Sequence, residues 1–206
     1  GLLWIAPGED QIPAINFLIE DNFPIVTVAS INDSEVPKPL SNTITRDFVQ
    51  HAINYAQQMH KKNYRNIIRL GGYNITAKAF KNEMLQNGIN IPDEFFIREI
   101  EEVSEKLPEF LNKYQIDAII GTGGVQRYEK LLKVINSDEK WYKIPLYFES
   151  GFLCRKIKQK NPHLKIILHP SHYSRRELGK VAGLQMNKLL KENINHFESF
   201  IVEAKK

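Results

Sequence analysis

The sequence predicts an α/β protein in which parallel strands alternate with helices, gathered into two lobes. Three observations carry that reading. Short apolar runs of strand length recur through all 206 residues. Between them lie stretches with apolar side chains at helical spacing. The connections are helix-length rather than hairpin-length, so consecutive strands run parallel, with right-handed crossovers and helices on both faces.

Taken in order, Leu2–Ala6 reads as a buried strand, ended by Pro7-Gly8. Glu9–Asp21 carries Ile12, Ile15, Leu18 and Ile19 at helical spacing, and Asn22-Phe23-Pro24 breaks it. Ile25–Ala29 is the next strand, and Asn32–Pro39, with two prolines, is loop. Thr45-Arg46-Asp47 supplies capping residues for a long helix whose stripe is Phe48, Ala52, Tyr55, Ala56 and Met59, closed by Asn63. Ile67–Leu70 is a strand ending in Gly71-Gly72. Thr76 to Gln86 is a helix stopped by Asn87-Gly88.

Glu94–Ile100 is strand-like, and Ser104 to Lys113 is helical. Ala118–Ile120 is a strand that runs into Gly121-Thr122-Gly123-Gly124, followed by a helix over Gln126–Ile135. Pro145–Phe148 and Ile166–Leu168 are strands, Phe152–Gln159 and Ser174–Leu190 helices, and Phe197–Glu203 a last strand. Hinges near Asn63–Asn66, His169–Ser171 and Glu192–His196 divide the chain. The N-terminal lobe takes residues 1–63 with about 171–192, the C-terminal lobe 64–170 with about 193–206.

Composition removes several classes of function. Hydrophobic residues are 42% and charged residues 25%, ordinary for a globular protein with a real core. No apolar run approaches the ~18 residues of a membrane span. The chain opens on a strand without a signal peptide, and its single cysteine, Cys154, excludes an internal disulfide. Both point to the cytoplasm. The net charge of +4 is dispersed: Lys61-Lys62 with Arg65, Lys156-Lys158-Lys160 and Arg175-Arg176 read as solvated helix faces rather than a nucleic-acid groove. The six histidines are scattered without paired acids or cysteines, so no metal is expected. No cofactor motif and no nucleophile elbow is present, and Cys154, with no base to activate it, reads as a buried, inert thiol.

In open α/β sheets, ligands bind at the carboxyl ends of the strands. That rule selects Pro7-Gly8-Glu9, Gly71-Gly72-Tyr73-Asn74, Gly121–Gly124 and Glu149-Ser150, with Thr45, Asp47 and Gln50 before the long helix. Glycines at Gly121, Gly123 and Gly124 could present N–H groups to a phosphate. Equally, they form a tight turn that lets strand and helix pack closely. Glu149 is either an acceptor for ligand hydroxyls or a surface acid at a helix N-terminus. Tyr73 either stacks on a ring-shaped ligand or is half-buried packing.

The order of these segments resembles the effector-binding domain of the lactose/galactose repressor family. Gly1-Leu2-Leu3-Trp4-Ile5 through Phe23-Pro24-Ile25-Val26-Thr27-Val28 are similar to its opening strand, helix and Pro-Val-Val segment. Asn63-Tyr64-Arg65-Asn66-Ile67-Ile68-Arg69-Leu70-Gly71-Gly72 resembles its "G-H-x-x-I-x-x-I-x-G" stretch. Asp117-Ala118-Ile119-Ile120, Ile144-Pro145-Leu146-Tyr147-Phe148-Glu149 and Leu178-Gly179-Lys180-Val181-Ala182 match later segments in sequence.

The resemblance implies a periplasmic-binding-protein-like type I fold with a partial N-terminal lobe. It also implies a small-molecule effector, a sugar or related metabolite, held between the lobes. Closure would alter a homodimer that meets operator DNA through a helix-turn-helix absent from this chain. Ligand contacts then fall on Glu149, Tyr73, Thr76, Lys78, Thr122 and Gly123, with Asp47 and Gln50 from the other lobe. The family's effector-binding arginine falls on Thr76, where Lys78 substitutes only in part. Its Asn-Asp pair falls on Gly123-Gly124. Two alternatives remain open: a solute-binding protein of an uptake system, and a nucleotide-dependent enzyme built on Gly121–Gly124.

Overall fold

A computed structural model describes residues 1–5, 9–28, 41–71, 74–122, 124–148, 151–168, 175–192, 194, 197–198 and 200–202. In chain order the first elements are β1 (Leu2–Ile5), α1 (Ile12–Glu20), β2 (Ile25–Val28), β3 (Thr43–Arg46), α2 (Phe48–Lys61), β4 (Ile67–Leu70) and α3 (Asn74–Gln86). There follow β5 (Phe96–Ile97), α4 (Val103–Lys113), β6 (Ala118–Gly121), α5 (Val125–Ile135), β7 (Leu146–Phe148), α6 (Gly151–Lys160), β8 (Ile166–Leu168), α7 (Arg175–Lys191) and β9 (Phe200–Val202). Two units result, Gly1–His51 with Tyr173–Lys206, and Ala52–His172.

The first unit holds a parallel sheet ordered β1-β2-β3-β9. Alternation along β2 sends successive side chains to opposite faces. Ile25 packs with Ile12, Ile15 and Ile19 of α1, and Val26 packs with Ile44 and with Leu178, Ala182 and Leu189 of α7.

The strand β3 was not foreseen. Its alternating threonines look like capping residues, yet Thr43 and Thr45 are buried. Their polarity is met inside the sheet: the Thr27 and Thr43 hydroxyls share a hydrogen bond of 2.7 Å, and Thr43 also donates to the Ser41 carbonyl. A buried hydroxyl with a partner is tolerated where an orphaned one is not. Asp47 does cap α2 as expected, its carboxylate accepting the Gln50 amide at 2.8 Å.

The lobe boundaries also differ from expectation. The sequence pattern places residues from about 193 to 206 in the C-terminal lobe, but β9 pairs with β3 of the first sheet. Asn42 explains this. It is buried with a left-handed backbone, φ 56°. Its main-chain N–H donates to the Phe197 carbonyl, and its side-chain oxygen accepts the Phe197 N–H at 2.7 Å. The returning chain is thereby held beside β3. The first boundary falls at His51, not at residue 63, because the stripe Ala52, Tyr55, Ala56 and Met59 belongs to the second unit's core.

The second unit carries a five-stranded parallel sheet ordered β5-β4-β6-β7-β8. Strands β4, β6 and β7 are buried throughout, as near-continuous apolar runs require when helices cover both faces. Glu94–Ile100, read as a strand, contains a 3-10 turn over Asp93–Phe95 and only two strand residues in β5. Asn63, φ 57°, ends α2, and Gly88, φ 76°, follows α3, both as expected.

One side chain sets the entry to β4. The Asp117 carboxylate accepts both the Arg65 and Asn66 amides, at 2.8 and 2.9 Å, across 52 and 51 residues of sequence. Asp117→Ala is expected to lower stability by about 1–2 kcal/mol, since two amides lose a charged acceptor. Urea denaturation would measure it; an unchanged midpoint would remove this role for Asp117.

Candidate functional site

Because all five strands of the second sheet are parallel, their carboxyl ends lie along one edge. The register aligns Leu70 with both Ile97 and Gly121, Gly121 with Phe148, and Phe148 with Leu168. The next residues, Gly71, Arg98 and Thr122, therefore form a row, and Glu149 follows Phe148 in the chain. This is where ligands bind in such sheets.

The row is closely tied together. Gly71 donates its N–H to the Ile97 carbonyl at 2.8 Å. Thr122 donates twice to the Leu70 carbonyl, from its N–H at 2.9 Å and its hydroxyl at 2.8 Å. Arg127, on the first turn of α5, reaches back over the row. It donates to the Thr122 carbonyl at 3.2 Å and to the Arg98 carbonyl at 2.8 Å. Gly124, at the N-cap of α5, has no side chain to cap that helix, and neither α3 nor α5 has an acid in its first turn. Arg98 and Arg127 add two guanidinium groups to this edge.

Gly121 shows why its position lacks a side chain. A Cβ there would stand 2.9 Å from the Tyr128 ring, whose hydroxyl donates to the Gly121 carbonyl at 3.3 Å. At Gly121 the glycine serves close strand–helix packing, one of the two readings considered for this turn.

The expected ligand contacts fall in different settings. Thr76 is buried on α3 and accepts from the Arg69 guanidinium at 2.9 Å. Arg69, 6% exposed within β4, also lies 5.9 Å above the Phe80 ring. The Thr122 hydroxyl is likewise buried and committed as a donor, leaving it only acceptor capacity. Lys78 is exposed and lines an open surface cavity of about 340 Å³ with Ala77, Lys81, Phe96 and Arg98, its acids being Asp93, Glu99 and Glu102. Asp47 and Gln50 are half-buried at the start of α2 and belong to the first unit. Tyr73, Gly123 and Glu149 lie outside the described residues. Sequence reasoning missed Arg127 and Arg69. A charge inside the run Ile67-Ile68-Arg69-Leu70 was a visible signal, whereas nothing distinguished Arg127 from any other helix cation.

Cys154 is buried, as expected, and burial pushes its thiol above the ordinary 9.0. Burial likewise raises the Tyr147 phenol above its ordinary 10.0. Below about pH 9 both the folded and unfolded chains keep these protons. Above it the unfolded chain releases them first, so stability falls as pH rises from there toward the folded values. Melts between pH 7 and 11 should show a decline setting in near pH 9 that Cys154→Ser shifts upward. A decline indifferent to Cys154 would count against it.

Among the described residues no group of three histidine, cysteine or acidic side chains could hold a metal ion, and no helix is long and apolar enough to cross a membrane. Lys61 on α2 and Lys156, Lys158 and Lys160 on α6 are exposed on solvated helix faces, while Lys62 and Arg65, also exposed, lie past the end of α2.

At the level of sequence, no family model and no curated protein matches this chain. Its structure does have counterparts. A LacI family transcriptional regulator from Arthrobacter, in complex with lactose, is 14% identical with a TM-score of 0.69, covering 98% of this chain and 75% of its own. An ABC transporter solute-binding protein from Agrobacterium vitis with bound allitol is 16% identical, TM-score 0.67, covering 98% and 73%. GanP, a glucose-galactose binding protein from Geobacillus stearothermophilus, is 17% identical, TM-score 0.65, covering 100% and 75%. With its parallel sheets flanked by helices, the chain has the periplasmic-binding-protein-like type I fold that these regulators and binding proteins share.

Proposed function

We propose that this chain is the ligand-sensing domain of a LacI-like transcriptional regulator and binds a sugar or polyol at the strand tips of its second unit. The observation that carries the reading is the row Gly71, Arg98 and Thr122 at one edge of an all-parallel sheet, in a fold whose similar structures hold lactose and allitol. Ligand contacts are proposed for Glu149, Tyr73, Gly123 and Lys78, with Thr76 and Thr122 supporting from beneath. Asp47 and Gln50 are proposed as further ligand contacts. In this reading the protein works in the cytoplasm as a homodimer, with operator DNA gripped by a separate helix-turn-helix. The effector acts through its differential affinity for two conformations.

Isothermal titration with lactose, galactose, glucose and allitol tests the reading. Binding by at least one of them is expected. Glu149→Ala should weaken it about 10- to 100-fold, the loss of a hydrogen bond to a charged acceptor. Silence toward all four would remove the sugar and polyol reading. A second reading, the solute-binding component of an uptake system, is supported by the likeness to an ABC transporter solute-binding protein. Gel-shift assays with the whole gene product separate the two: DNA retarded in a ligand-dependent way favours the regulator.

A further inference from the structure

We infer that Arg127 is the positioning residue of the proposed ligand site: its guanidinium clamps the tips of β5 and β6 at fixed spacing across β4. The inference rests on the ligand site proposed above, and adds the part that gives it shape.

The geometry is specific to a guanidinium. One nitrogen donates to the Thr122 carbonyl beyond β6, and another to the Arg98 carbonyl beyond β5. Between them the group passes over Gly71, beyond β4. A Cβ on Gly71 would stand 2.7 Å from the guanidinium carbon and 2.8 Å from the Thr122 carbonyl oxygen. The bare backbone at Gly71 is thus the floor on which the clamp lies. One side chain thus bonds the tips of β5 and β6 across β4, which lies between them in the sheet.

A planar fork with several fixed donors can hold two carbonyls at once; an ammonium on a flexible stem holds them less rigidly. The consequence is preorganisation. Two carbonyl oxygens at the tips are already satisfied, and the backbone at Gly71 and Thr122 is held in place. A ligand meeting strand tips that are already held does not have to order them, and its affinity is higher for that reason.

The test uses Arg127→Met and Arg127→Lys in the full chain, with Asp117→Ala as a control that weakens the opposite end of the same sheet. Hydrogen exchange is read at the Gly71 and Thr122 amides, with Ile119 in the middle of β6 as internal reference. Sugar affinity is measured far below each variant's melting temperature, using the best binder among lactose, galactose, glucose and allitol. Arg127→Met should speed exchange at Gly71 and Thr122 at least tenfold, leave Ile119 unchanged and weaken the sugar at least tenfold. Arg127→Lys, which keeps the charge, should fall between and serves if the methionine variant does not fold. Asp117→Ala should leave affinity as it is.

Unchanged exchange at both tip amides overturns the clamp. Faster exchange with unchanged affinity overturns the positioning role, as does an equal loss of affinity in Asp117→Ala. If the wild-type chain binds none of the four, the sugar reading fails and the positioning role falls with it. The exchange result then says separately whether the clamp exists.

Discussion

Phe148→Ala is expected to destabilise the second unit by about 3–5 kcal/mol, the cost of deleting a large buried ring whose surroundings relax only in part. Phe148 ends β7 with no exposed surface. Its ring meets the edge of Tyr128 at 4.8 Å between centroids and 81° between planes, a favourable aromatic geometry. The gap left by alanine would open directly beside Gly121, which has no side chain to fill it. The strand lies between β6 and β8, so the loss is felt on both sides. Urea denaturation followed by the second unit's fluorescence would measure it. Phe148→Leu should recover more than half. A loss under about 1 kcal/mol for alanine would mean that the ring is not packed as described.

Gly71→Val should cost about 2–4 kcal/mol, through two separate effects. The backbone at Gly71 has φ +73°, a region where a β-branched residue is strained. The added Cβ also meets the Thr122 carbonyl at 2.8 Å, and that oxygen is main chain and cannot swing aside. Gly71→Asn separates the two. Asparagine tolerates the left-handed region, as Asn22, Asn42 and Asn63 do here, but it brings the same overlap. It should therefore lie between wild type and valine in stability. If asparagine and valine are both neutral, neither the turn nor the Arg127 contact has the form described.

The elements that could be read from the chain are those whose side chains repeat with a clear period and whose ends carry punctuation. The α2 stripe, closed by Asn63, and the α3 helix, closed before Gly88, are of this kind. So are β4 and β6, where apolar runs stop at glycine. What escaped is equally specific. β3 is built from threonines that satisfy each other across the sheet, a partnership visible only once Thr27 and Thr43 lie side by side. β5 shrank to two residues because Asp93–Phe95 forms a turn first.

At the candidate site, the rule that ligands gather at strand tips chose the region, and the register supplies its row of residues. It could not tell which threonine hydroxyls are committed to protein partners. Thr76 serves Arg69, and Thr122 serves the Leu70 carbonyl. Nor could it find Arg127, whose partners are main-chain carbonyls 5 and 29 residues away.

The amino-acid order alone determined the α/β class and the parallel sense of the strands. Those follow from local periodicity and from the length of each connection. Only the folded chain decided that β9 returns to the first sheet, that α2 packs with the second, and that one arginine bonds the tips of β5 and β6. Each of these depends on groups far apart in sequence meeting in space, where a buried asparagine, an apolar stripe or a planar cation finds its partners, and no local pattern encodes that meeting.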